Sequence, residues 1–282
     1  MTKLAAGLAA LTLLATAAPA RAFDDDPRVT QRGATLPGGA IEAWVPLTAN
    51  LASGEVGEPF LLHPGVYFGV ADGLTVGIRH LAGICLGGSD RGCSRTYNDA
   101  SAEVLVGLGR SEGSDLALRL AVNAAPIASQ DDAAWSGEAG VTVKLRGPFV
   151  SVGFSPSVTF GLNDRDARQR RNALAFPVSG AAYQLVFPGP VTSNRDFLSA
   201  PATLTLQLLP MLAVTAGLAY QAELDPQVGN FGDRYAVPLL LAASVSATGH
   251  LEVGASLLYQ DLLGSDGSGR ARLGTVWIGL RN

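Results

Sequence analysis

Eight ionisable residues occupy equivalent places in this sequence. Glu42, Arg79, Glu103, Arg119, Glu138, Lys144, Glu223 and Glu252 each lie in a run where apolar residues alternate with small or polar ones, and each falls on the small, polar side. A closed apolar core could not absorb so many charges cheaply. They need water, one another, or both. A second basic group, Arg165, Arg168, Arg170 and Arg171, crowds the start of a long polar interruption. Folded across an aqueous passage, these arginines would form a constriction biased toward anions. The plainer reading is a solvated external loop.

Other chemistry is poorly supported. His63 precedes a proline in a loop, His250 begins an alternating run, and His80 shares parity with an apolar face. None stands in a nucleophile motif with a serine, and Ser155 and Ser157 have no evident base partner. No group of residues has metal-ligand spacing, and no calcium-loop pattern occurs. Ser265-Asp266-Gly267-Ser268-Gly269 reads as a loop. No catalytic residue, cofactor or metal is expected, and the chain is not read as an enzyme. Cys85 and Cys93, the two cysteines, close a small loop and should pair in an oxidising compartment.

The elements that carry the charges are strands. Residues 147–163 show the pattern best. Val150, Val152, Phe154, Val158, Phe160 and Leu162 alternate with Ser151, Gly153, Ser155, Ser157, Thr159 and Gly161. A period of two means extended chain with one greasy and one wet face. The same alternation recurs at 40–48, 64–71, 74–85, 100–110, 115–124, 135–145, 200–208, 211–224, 235–247, 250–262 and 273–282. This predicts twelve strands, with 173–187 left inside a loop as a local hairpin or strand. The apolar run at 204–220 is broken by Gln207, Pro210 and Gly217, so two strands and a turn are expected there, not a membrane helix.

Connections alternate in length. Short ones fall at 72–73, 111–114, 146–148, 209–210 and 248–249. Long ones fall at 49–63, 86–99, 125–134, 163–199, 225–234 and 263–272. Asp72-Gly73 is the strongest hairpin signal. A soluble sandwich has no reason to sort loops by strand parity. An up-and-down antiparallel transmembrane β-barrel does, with short turns at one end and long loops at the other. Its small, polar face would then line a hydrated lumen. Trp44, Trp135, Tyr220, Tyr235 and Tyr259 are expected at its interfacial girdles.

The amino terminus reads as a secretory signal peptide over 1–22, with a short basic start, an apolar run from Leu4 to Ala17 and an Ala20-Arg21-Ala22 cleavage pattern. Its removal takes Lys3 and Arg21, leaving 18 basic residues against 24 acidic ones, a charge of about −6. That balance argues against nucleic-acid binding. Residues 23–38 are expected to be an irregular periplasmic lead-in, and 39–282 a single barrel domain with its long loop at 163–199.

The last strand carries a resemblance. Val276, Ile278 and Leu280 stand at alternate positions up to the chain end, with Thr275, Trp277 and Gly279 flanking or between them. This resembles the terminal assembly signal of bacterial outer-membrane β-barrel proteins, although the chain ends in Asn282 where that signal usually has an aromatic residue. The resemblance covers the class and names no narrower family. It implies outer-membrane lipid and the barrel assembly machinery as partners. The function expected is a passive pore or small-solute channel. The alternatives are a non-transporting surface or structural barrel whose external loops bind a partner, and a secreted soluble β-protein.

Overall fold

In a computed structural model of the chain, the described residues are 26–52, 56–80, 83–87, 99–126, 133–166, 168–175, 185–225, 235–259, 262–263 and 272–282. The predicted signal peptide lies outside them. A single 3-10 turn, Val29–Gln31, precedes the strands. In chain order these are β1 (Ile41–Asn50), β2 (Phe60–Leu62), β3 (Gly65–Ala71), β4 (Leu74–Arg79), β5 (Ile84–Gly87), β6 (Ala100–Arg110), β7 (Ser114–Pro126), β8 (Ala133–Arg146) and β9 (Val150–Phe154). There follow β10 (Ser157–Gly161), β11 (Arg168–Ala175), β12 (Leu185–Ser193), β13 (Phe197–Leu209), β14 (Leu212–Glu223), β15 (Tyr235–Ala236), β16 (Leu239–Ser246), β17 (Leu251–Tyr259) and β18 (Arg272–Arg281).

Twelve antiparallel staves close into a barrel. The first, β1, pairs with the last, β18, from Glu42↔Arg281 to Asn50↔Leu273. Closure leaves no open edge, so every stave finds hydrogen-bond partners on both sides. β9 and β10 form one stave: both pair with β8 and with β13, and the register is the same on either side of Ser155-Pro156. Pro156 removes a ladder donor there, yet its carbonyl still accepts from Val141 N at 3.0 Å. β15 and β16 likewise form one stave around Pro238, both paired with β14.

The chain departs from the expected segmentation in three places. β7 and β8 run on to Pro126 and Ala133, so their loop is shorter than 125–134. β2 extends the second stave across a break at His63-Pro64, inside a region read as loop, and pairs with β5, which carries the third stave two residues past its expected end at Cys85. The 163–199 excursion holds β11 and β12, which pair only with each other as a separate two-stranded sheet. The stave count therefore stays even. The start of β1 and the end of β18 meet at the short-turn end, where Asn282 Oδ1 accepts from Ile41 N at 2.6 Å and Asn282 N donates to Ile41 O at 3.2 Å. The residue that departs from the usual terminal aromatic thus ties the first and last staves at one end of their seam.

Face assignment follows the alternation. Val150, Val152 and Phe154 are exposed, while Ser151, Ser155 and Ser157 are buried. The same holds around the ring, with Ile78, Leu120, Leu204, Leu241 and Ile278 on an outer apolar band. Trp135 and Tyr220 join that outer face. Trp44 does not: it is buried inside, on the Glu42 side of β1. Its girdle assignment is corrected, and the reason lies in the neighbouring strand. Trp44 is paired with Gly279, Tyr67 with Gly77, and Trp277 with Gly254. At each glycine an added Cβ would sit inside the facing ring. The missing side chain leaves a flat seat on which an aromatic ring lies against the inner wall, the arrangement known to rescue strand glycines. Replacement Gly279→Ala should therefore dislodge Trp44 and destabilise the barrel by about 1–3 kcal/mol. Denaturant unfolding of the refolded protein checks this, with Gly87→Ala, whose added Cβ meets nothing within 4 Å, as the comparison.

Candidate functional site in the barrel lumen

All eight predicted inward charges face the barrel interior, and none is more than 8% exposed. Six of the eight have ion-pair partners among the side chains around them: Glu42, Arg79, Glu103, Arg119, Glu138 and Glu252. The strand register brings them together. Arg79, Glu103, Arg119 and Glu138 come from β4, β6, β7 and β8. Residues two apart in register on adjacent staves meet diagonally on one face, and Gly77↔Glu103, Leu105↔Arg119 and Ala121↔Glu138 set these diagonals. Arg79 contacts Glu103 at 2.5 Å and Glu138 at 3.3 Å. Arg119 contacts Glu103 at 3.5 Å and also pairs with Glu138. The Tyr67 hydroxyl donates to Glu103 Oε1 at 2.6 Å. Two guanidiniums and two carboxylates thus form a neutral belt across four neighbouring staves.

A second neutral group lies nearer the short turns. Arg281 Nε donates to Glu42 Oε1 at 2.6 Å, and its Nη2 to Glu252 Oε2 at 3.2 Å. Its guanidinium lies over the Trp44 ring, 5.3 Å from the centroid. The fourth member is Arg32, from the segment before the barrel, which pairs with Glu252 and donates to Ser246 Oγ at 2.9 Å. Neither Arg32 nor Arg281 was singled out from the sequence. Arg281 could have been: it falls on the wet side of β18, directly opposite Glu42.

The segment over 27–40 lies inside the short-turn end of the barrel. Val29, Thr30, Ala34 and Leu36 are buried. Thr30 N donates to Gln207 Oε1 at 3.4 Å, Leu36 N to Thr75 Oγ1 at 2.8 Å, and Gly38 N to Asp72 Oδ1 at 3.0 Å. Arg146 donates to Gln31 O at 3.1 Å, and Lys144 Nζ lies 3.5 Å from Val29 O. At its start, the Arg28 guanidinium bonds Asp26 and holds that carboxyl below the usual carboxylate range. The only sequence signals were Val29 and Leu36, two apolar residues in a polar stretch without period.

Elsewhere the wall is neutral and uneven. Leu240, Leu258, Leu273 and Trp277 give the β16–β18 side an apolar inner surface, facing the charged β4–β8 side. Hydroxyl pairs bridge staves at Thr205–Thr215, 2.9 Å, and Thr48–Thr275, 2.8 Å. Glu223 is buried on β14 towards the long-loop end, away from both charged groups.

Of the predicted arginine cluster, Arg165 has a described side chain, exposed at the long-loop rim, 3.4 Å from Asp196 and 3.3 Å from Asp225. Arg168, Arg170 and Arg171 lie on β11, where the backbone pairs with β12; their side chains are outside the described residues. Cys85 sits on β5 and no described cysteine is free, but its predicted partner Cys93 lies outside the described residues. His80 Nδ1 lies 2.9 Å from Pro64 O, and His250 Nδ1 lies 3.2 Å from Arg281 O at the opposite end. No group of three or more metal-ligating side chains occurs among the described residues.

No protein-family model and no curated protein matches the sequence. Solved structures do match in shape. The NanC porin shares 9% identity, with 83% of this chain and 97% of that one covered and a TM-score of 0.51. The KdgM porin shares 6%, with 85% and 98% covered and a TM-score of 0.52. An outer membrane channel from Pseudomonas putida F1 shares 13%, with 88% and 97% covered and a TM-score of 0.51. The chain has the fold of the bacterial outer-membrane β-barrels. At these identities the likeness carries the fold and nothing finer.

The belt supplies a stability test. Glu103→Ala leaves Arg79 and Arg119 sharing Glu138 in a buried site and removes the acceptor of the Tyr67 hydroxyl. A loss of about 3–5 kcal/mol is expected, as for one-sided removal of a buried ion pair. Urea unfolding in lipid vesicles measures it, and Glu103→Gln, which keeps the shape, should lose less.

Proposed function

We propose that this protein is an outer-membrane channel for small polar solutes, exported through cleavage of residues 1–22. The observation that carries the reading is a closed barrel whose outer face is apolar and whose inner face is polar around the charged β4–β8 wall. The narrow part is assigned to the belt of Arg79, Glu103, Arg119 and Glu138, not to the arginine loop at 165–171. Because the belt pairs two positive with two negative groups, it should discriminate weakly between anions and cations. The general likeness of the fold to porins agrees with a channel. Outer-membrane lipid and the assembly machinery are the expected partners, and a Cys85–Cys93 bond would brace an external loop.

A second reading is a surface barrel without transport. It is favoured by the burial of the belt's side chains and by the segment that crosses the short-turn end. Planar-bilayer recording of the refolded protein separates the two. The channel reading expects unitary conductance, with ion preference shifted toward cations by Arg79→Gln and toward anions by Glu138→Gln. Silence under all conditions supports the surface barrel.

Orientation has its own test. Asp164→Cys, in the long-loop rim, should be labelled by an impermeant maleimide on intact cells. Glu112→Cys, in a short turn, should react only after the outer membrane is opened. The reverse pattern would invert the barrel.

A further inference from the structure

The lead-in segment makes contacts on opposite sides of the lumen. Thr30 meets Gln207 of β13 and its hydroxyl lies 3.5 Å from Pro148 O in the β8–β9 turn. Val29 and Gln31 lie against Lys144 and Arg146 of β8. Two residues on, Arg32 reaches Glu252 of β17 and Ser246 of β16. Leu36 and Gly38 then reach Thr75 of β4 and Asp72 in the β3–β4 turn. A segment that touches β8 and β13, then β16 and β17, then β4 spans the opening of a twelve-stave ring.

We propose that residues 27–40 are a displaceable plug, latched by Arg32, that holds the barrel closed in its resting state. The inference rests on the channel reading and adds to it a gate.

Three features favour a plug that can leave over a fixed filling. First, the segment adds no strand to the sheet. Its ladder-like bonds are confined to its end, where Gly39 N donates to Gly69 O at 2.7 Å and Gly69 N to Ala40 O at 2.8 Å. The rest is held by side chains and isolated backbone bonds, which can break without opening the barrel. Second, it has a pivot. Gly38-Gly39 joins it to β1, and Gly39 has φ of 84°, a conformation that glycine adopts without strain. Gly69 completes this pivot: an added Cβ there would collide with Pro37 O. Third, the wall does not need Arg32 to remain paired. Glu252 keeps Arg281 at 3.2 Å, and Arg281 keeps Glu42 at 2.6 Å. Arg32 adds the second cation that makes the group neutral. Its departure would leave two carboxylates against one guanidinium among these wall residues. That excess charge would face the water admitted by opening. The latch is therefore electrostatic.

The test uses the full mature chain in planar bilayers, with folding of each variant checked by heat-modifiable electrophoretic mobility. Wild type should open rarely. Arg32→Ala should raise open probability roughly tenfold or more, because a closed state loses weight in proportion to the contacts removed from it. Arg32→Lys, keeping the charge but not the forked geometry, should lie between. In the converse variant, Thr30→Cys with Gln207→Cys, oxidation should silence the channel and reductant should restore it. Wild type treated with the same reductant controls for the native cysteines. If wild type and Arg32→Ala conduct alike, and the oxidised double-cysteine variant conducts as freely as the reduced one, the plug is wrong and the channel stands. If folded Arg32→Ala and the reduced double-cysteine variant are both silent, the channel reading fails and the gate falls with it.

Discussion

The seam between β1 and β18 is the contact on which the remaining architecture depends. It joins residues more than two hundred positions apart, and it is unbroken over its length, from Glu42↔Arg281 to Asn50↔Leu273. An open twelve-stave sheet would present two rows of unpaired backbone groups, which hydrocarbon cannot satisfy. Closing it removes the edges and divides the side chains into two populations with different solvents. Everything on the Val150, Val152 and Phe154 side must suit an apolar surrounding. Everything on the Ser151, Ser155 and Ser157 side must suit a confined polar one.

Confinement explains the interior. A charge placed there has little water and must find a partner. The barrel meets this with two neutral groups of four, Arg79 with Arg119 against Glu103 and Glu138, and Arg32 with Arg281 against Glu42 and Glu252. The first is built wholly from staves. The second is completed by a residue that belongs to no stave. This asymmetry gives the barrel a permanent wall at mid-height and a conditional closure at its mouth. The aromatic rings follow the same rule of confinement: Trp44, Tyr67 and Trp277 lie flat because Gly279, Gly77 and Gly254 leave room beneath them.

The strand pattern was legible because each stave borders a different medium on each face. That forces period two onto the residues, and the eight inward charges could be read from parity alone. Loop lengths were legible for a related reason, since turns at one end of an up-and-down barrel only reverse the chain while loops at the other can grow. The segmentation slipped where the pattern is silent. Pro126 and Ala133 extend strands with residues that carry no signal of either face. β11 and β12 form a sheet of their own, and nothing in an alternating run says which neighbour it will pair with. Trp44 was misjudged because residue type was allowed to override parity: it follows Glu42 by two and must share its face.

By itself, then, the sequence determined the class of fold, the number of staves, the end at which turns are short and the side on which each charge lies. These are local consequences of alternation, and alternation is written residue by residue. Only the tertiary structure decided who pairs with whom. Ion pairs between β4, β6, β7 and β8 depend on register diagonals, and register is a relation between strands. The place of 27–40 was hidden for a similar reason. That segment has no period of its own, and its course is set by Gln207, Glu252 and Thr75, residues that closure brings to one opening from distant parts of the chain.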